Sequence, residues 1–160
     1  MKYSKIIIKT ELPGPNAKKI IDTDRRYVSH SYTRDYGMVA KSGEGAFVED
    51  VDGNVFLDFS SGIAVCSTGH CHPRIVEVIK KQAENLIHMS GTDFYYEPQV
   101  KLAEEMSKIV PIEGNVMSFF GNSGAEAIEA ALKIARNKRR RPRMMAFIGA
   151  FHGRTMGSLS

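Results

Sequence analysis

Residues 116–150 constrain the fold more than any other stretch. "VMSFF" at 116–120 is a short, nearly continuous apolar run of the kind found in strands covered on both faces. Residues 124–138 then carry Ile128, Ala131, Leu132 and Ala135 at helical spacing, one apolar stripe on an otherwise polar segment. After Pro142, "RMMAFIGA" supplies a second apolar run. Strand, helix, strand in this order predicts a βαβ unit, a parallel sheet and a right-handed crossover. The chain stops at Ser160, shortly after the second run, so a doubly wound sheet begun here is expected to be cut off within its domain.

Between the first run and the helix lies "GNSGAEA", residues 121–127. The first turn of a helix has N–H groups without intrahelical partners, and the helix dipole makes that end attractive to an anion. Ser123 offers a hydroxyl, and Gly124 lets a ligand approach the backbone with no Cβ in the way. Two readings follow from the heptapeptide alone: a helix cap at Asn122 or Ser123, or a site for a phosphate or carboxylate. It matches neither G-x-x-x-x-G-K-[ST] nor G-x-G-x-x-G, which disfavours nucleoside triphosphates and dinucleotides.

"FHGRT", residues 151–155, follows the second apolar run and so falls at the same sheet edge. Phe151 can present a flat face, His152 a proton donor or acceptor, and Arg154 a two-pronged carboxylate clamp. Each has a structural alternative in a packed core, a satisfied polar contact or an ion pair. Together with an anion-binding turn they suit a flat, phosphorylated ring with an acidic substrate beside it.

Upstream, "GEGAFVEDVDGNVFLDFSSG" at 43–62 holds two strand-like runs, Ala46–Asp50 and Val55–Phe59, around Asp52-Gly53-Asn54. Asp-Gly between such runs predicts a hairpin. A helix is expected from Pro73, with Ile75, Ile79, Ala83, Leu86 and Ile87 on its apolar side. Another is expected from Pro98, burying Leu102, Ala103, Met106 and Ile109 and ending at Pro111 and Gly114. Residues 1–20, with "LPGP", read as an irregular lead-in.

Composition limits the function classes. In 160 residues, 42% are hydrophobic and 25% charged, as in a soluble domain, and no apolar stretch nears the length of a membrane helix. A three-residue Ile run is too short for a signal-peptide core, so a cytoplasmic location is expected. The net charge of +4 comes from Lys138, Arg139, Arg140, Arg141 and Arg143, which leave the rest near neutral. Nucleic-acid binding would require such a cluster, but no interleaved aromatic or binding module accompanies it. An exposed loop after a helix C-terminus, where cations are favoured, accounts for it more simply. Cys66, His70, Cys71 and His72 in "CSTGHCHP" lack the separated ligand pairs of zinc sites, and no metal is expected.

"NSGAEA…EAALKIAR" followed by "AFIGAFHGRTMGSLS" closely resembles the class III pyridoxal-phosphate-dependent aminotransferases of fold type I. Within them the chain is most similar to the acetylornithine, ornithine and 4-aminobutyrate aminotransferases. The stretch from "GEGAFVEDVDGNVFLDFSSG" to "GTDFYYEP" resembles the small-domain start of the same group. The resemblance spans roughly residues 35–160. It implies an N-terminal arm over 1–34, a small-domain segment over 35–90 and, over 91–160, the start of a large cofactor-binding domain with a mixed or parallel sheet.

By the same resemblance, Ser123, Gly124 and Ala125 bind the phosphate of pyridoxal phosphate, Phe151 stacks on its ring and His152 flanks it. Arg154 holds a substrate carboxylate, and Ile63 and Tyr95 border the substrate pocket. The Schiff-base lysine and the acidic partner of the ring nitrogen lie beyond the equivalent of Ser160 in the family, so no catalytic residue is expected in this chain. The implied reaction is amino transfer from an amino acid to a 2-oxo acid, 2-oxoglutarate by resemblance, in a homodimer, with no nucleic acid or membrane involved. A racemase of the same family is the alternative chemistry. A non-catalytic truncated fragment is the alternative of another class.

Overall fold

The computed structural model describes residues 2–159, which divide into two compact units, one ending at Met89 and the other beginning at Ser90. In the first unit a three-stranded antiparallel meander is built from β1 (Ala40–Glu44), β2 (Phe47–Asp50) and β3 (Val55–Leu57). The predicted hairpin is the β2–β3 connection. The Asp50 carboxylate accepts the N–H groups of Asp52 and Asn54, and Gly53 takes φ +81°, a conformation that favours glycine. β1 carries no strand signal of its own; "AKSGE" becomes a strand because its backbone pairs with β2.

The small core of this unit consists of Tyr3, Ala17, Val48 and Val55, with Asp50 and Asn54 fully buried beside them. Burial of the Asn54 amide is compatible with folding because the amide is fully satisfied. Its oxygen accepts the N–H groups of Lys9 and Thr10, and its nitrogen donates to Asp50 and to the Thr10 hydroxyl. The N-terminal segment is thereby pinned to the sheet, and Ile7 adds an antiparallel bridge to Val55.

The region expected to be irregular contains α1 (Pro15–Tyr27). Pro15 stands in its first turn, where a missing N–H costs nothing. The next N–H groups, of Asn16 and Ala17, are capped by the carboxylate of Asp52 from the hairpin.

After β3, α2 (Ser61–Ala64) is a single turn wound left-handed, with φ of +50°, +63°, +61° and +61° at successive residues. L-residues resist this conformation by about 1–2 kcal/mol each. The Asp58 carboxylate braces its entrance by accepting Ser60 N–H, Ser60 Oγ–H and Ser61 N–H. The other Asp58 oxygen meets His70 Nε2 at 2.6 Å. α3 (Pro73–Asn85) begins at the proline, as expected, but stops before Leu86, whose backbone is extended, so Leu86 and Ile87 lie outside it.

In the second unit α4 (Glu97–Ile109), α5 (Gly124–Arg139) and the short α6 (Met156–Leu159) are formed, with α6 packed on α5. Two expectations are corrected here. Residues 116–120 and 143–148 join no ladder among the described residues, so the predicted parallel pair is absent. A strand is a property of a pair, and neither run has a neighbour to bond with. The apolar stripe of α4 is also not buried: Leu102 and Ile109 are exposed, and α3, α4 and α5 contain no buried residue among those described.

Candidate functional site

Ser123 is the N-cap of α5. Its hydroxyl oxygen accepts the N–H of Glu126 at 3.2 Å, while the Glu126 carboxylate reaches back to the N–H of Asn122. This is close to a capping box, with the return bond placed one residue earlier. The cap and the anion site do not compete. A hydroxyl that accepts from Glu126 keeps its own proton to donate outward. The N–H groups of Gly124 and Ala125 have no partner among the described residues, and nothing lies within 4 Å of where a Gly124 Cβ would stand. Two free donors, a hydroxyl proton and a helix dipole therefore converge on open space.

A cleft of about 700 Å³ opens at this point, lined by Gly124, Ala125, Ala127 and Ile128 on one side. Phe151, His152, Gly153, Arg154 and Thr155 line the other. Five of the expected site residues thus share one cleft: Gly124, Ala125, Phe151, His152 and Arg154. Phe151 is 77% exposed, so its ring is available as a plate rather than used as core. Arg154 forms no ion pair among the described residues, which leaves its guanidinium free for a carboxylate. Ser123 stands at the helix start outside the cleft lining. Tyr95, in the same unit, is fully exposed and does not line it. Ile63 belongs to the other unit, exposed on the left-handed turn.

Further residues hold the two sides together. Gly153 is buried, and a Cβ on it would stand 2.6 Å from both Ala125 Cβ and Ser158 Oγ. Glu129 Oε1 accepts the Thr155 hydroxyl at 2.6 Å and the Gly157 N–H at 2.8 Å. These bonds, the Thr155 hydroxyl first, hold the Glu129 carboxyl below its ordinary range, so it is ionised at neutral pH. Glu129 escapes sequence reasoning because, four residues before Lys133, it reads as half of a solvated helix pair. Thr155-x-x-Ser158 is a legible signal: Ser158 Oγ accepts the Thr155 N–H at 3.1 Å, turning the chain into α6.

In "CSTGHCHP", His70 is taken up by Asp58, and no group of three His, Cys, Asp or Glu able to hold a metal occurs among the described residues. No helix of the described residues is long and apolar enough to cross a membrane.

The family model described as "Aminotransferase class-III" matches residues 27–160. An alanine/serine racemase of Pyrococcus horikoshii is 42% identical over 161 residues, covering 100% of this chain and 33% of that protein. An acetylornithine aminotransferase of Archaeoglobus fulgidus is 47% identical over 140 residues, covering 88% of this chain and 36% of that protein. The structure of taurine:2-oxoglutarate aminotransferase from Bifidobacterium kashiwanohense, in complex with PLP and glutamate, superposes with a TM-score of 0.78 at 28% identity. That match covers 94% of this chain and 33% of that one. The chain spans about a third of the length of these relatives.

Proposed function

The chain belongs to the class III aminotransferases, and from that premise we propose that it is the cofactor-cradling part of a pyridoxal-phosphate-dependent transaminase. The observation that carries this reading is the single cleft in which a free helix N-terminus, an exposed aromatic ring and an unpaired arginine meet. The residues present fit the cofactor: Gly124 leaves room at the free N–H groups, and the Phe151 ring is uncovered.

The Ser123 hydroxyl and the N–H groups of Gly124 and Ala125 bind the phosphate, whose charge the helix dipole favours. Phe151 covers one face of the ring and limits its tilt. His152 flanks the ring on that side and keeps water from it. Arg154 holds the substrate carboxylate through paired N–H bonds, which orients the α-carbon. When bound, pyridoxal phosphate supplies the electron sink that allows bonds at the α-carbon to ionise. The amino donor is an acetylornithine-, ornithine- or 4-aminobutyrate-type amino acid and the acceptor 2-oxoglutarate, by similarity to relatives with such names. The complete enzyme works as a cytoplasmic homodimer, without nucleic acid or membrane.

Among the described residues no lysine lines the cleft. A lysine amine that would hold the cofactor would come from elsewhere in the complete enzyme, and the 160-residue chain alone is expected to be inactive. Incubation of the protein carrying this chain with pyridoxal phosphate, acetylornithine, ornithine or 4-aminobutyrate and 2-oxoglutarate should release glutamate. The isolated chain should give no more than free cofactor does. Absence of glutamate with all three donors would overturn the transaminase reading.

The full-chain match to an alanine/serine racemase supports a second reading. Alanine or serine supplied without any 2-oxo acid distinguishes them, since loss of optical activity under those conditions identifies a racemase.

A further inference from the structure

The two halves of the cleft come from segments separated along the chain. The phosphate-facing half is the start of α5, and the half bearing the ring plate and the guanidinium is the 151–155 loop. No strand ladder fixes that loop among the described residues. What fixes it is a set of contacts on the flank of α5, one turn beyond the phosphate end. Glu129 Oε1 takes both the Thr155 hydroxyl and the Gly157 N–H, and Gly157 sits so close that a Cβ would stand 2.4 Å from Glu129 Oε2. Thr155 and Ser158 are joined hydroxyl to hydroxyl at 2.7 Å, and Ser158 is buried. Gly153 lies flush on Ala125, two residues before the clamped Thr155.

We propose that Glu129 is a positioning residue for the cofactor and substrate groups: by clamping Thr155 and Gly157 to α5, it holds Phe151, His152 and Arg154 over the phosphate-binding turn. Glu129 itself does not line the cleft. The proposal rests on the cofactor reading above and adds what determines the spacing between its two halves. One oxygen receives both bonds, and this separates geometry from charge. A glutamine with its Oε1 in the same place keeps both bonds, whereas alanine loses both.

The intact chain and its E129A and E129Q variants are titrated with pyridoxamine 5′-phosphate, which cannot condense with surface lysines, and separately with inorganic phosphate. Amide hydrogen exchange is followed on the unliganded proteins. E129A should weaken pyridoxamine phosphate by about tenfold, as expected for two lost charge-assisted bonds that preorganise the loop. Inorganic phosphate, which needs only the α5 end, should change by less than about twofold. Exchange at Gly157 and its neighbours should quicken with the α5 amides unchanged. E129Q should restore pyridoxamine phosphate binding to within about threefold. Equal weakening of both ligands, faster exchange throughout α5, or unchanged pyridoxamine phosphate binding in E129A would each overturn the proposal. A wild-type chain that binds inorganic phosphate but gains nothing from the ring would instead overturn the cofactor reading itself.

Discussion

Gly153 rests on the first turn of α5 so closely that a Cβ would come within 2.6 Å of the Ala125 Cβ, and its φ of +132° is one that side chains rarely adopt. A Cβ on Gly124, at the start of the same helix, would meet nothing within 4 Å among the described residues. The two glycines therefore serve opposite ends: one lets protein approach protein, the other leaves room for a ligand. Gly153→Ala should loosen the loop by about 1–3 kcal/mol through overpacking and backbone strain, read as faster tryptic cleavage after Arg154. Gly124→Ala should leave that cleavage unchanged yet weaken inorganic phosphate, because its methyl enters the space at the free N–H groups. Equal protease sensitivity in both variants would contradict this division.

Ser123 is expected to do two jobs that substitution can separate. Ser123→Ala removes the cap and costs α5 about 1 kcal/mol, along with part of its phosphate affinity. Ser123→Asp caps well but sets a negative charge where the anion binds, so helicity by circular dichroism should hold while phosphate binding is lost. Phosphate binding retained in Ser123→Asp would place the anion elsewhere.

Arg154 should act through the shape of its guanidinium as well as its charge. In the complete enzyme, Arg154→Ala should raise KM for the amino donor by about 10- to 100-fold, in the range of a lost charge-assisted pair. Arg154→Lys should recover little of this, because an ammonium cannot form the paired bonds. Steady-state kinetics with varied donor concentration would check it, and full recovery by lysine would remove the clamp from the reading.

The meander unit should carry an acid transition of its own. The His70 hydrogen bond, followed by those from Ser60, lowers Asp58 to about 2. Tyr3, followed by Lys2, lowers Glu49 from 4.5 to about 2. Both carboxyls have folded-state values below their unfolded ones, so their contribution is present above about pH 4.5 and is lost as pH falls towards 2. Methyl NMR signals of Val48 and Val55 should lose dispersion across that window. Asp58→Asn should make the loss shallower, and Asp58→Asn with Glu49→Gln shallower still. An unaltered profile in the double variant would mean that other groups govern the transition.

The elements legible in the sequence are those whose causes are local. α3 starts at a proline and α4 carries one as its second residue, each with apolar periodicity behind it, α5 starts at a serine cap, and the β2–β3 turn is written in Asp52-Gly53. α1 was obscured because its cap, Asp52, lies 36 residues away from Asn16, so Pro13 and Pro15 read only as breaks. The two apolar runs around α5 were legible as apolar but not as unpaired, since pairing depends on neighbours rather than on composition. In the site, the groups that would face a ligand were readable from "GNSGAEA" and "FHGRT". The contact that holds them together was not, because Glu129 and Thr155 are 26 residues apart and each has an ordinary local explanation.

The unladdered runs also bear on how the chain behaves in a test tube. Met117, Phe119, Met145, Phe147 and Ile148 are all more than two-thirds exposed, on backbone that joins no strand ladder among the described residues. Such segments are templates for pairing with other copies. The cations from Lys138 to Arg143 sit between the two runs and act as gatekeepers, since copies that approach there repel one another. That repulsion is screened within about 10 Å at 0.1 M salt and far less at low ionic strength. The chain's solubility should accordingly fall as salt is added, so dilute buffer is the condition in which it stays dispersed.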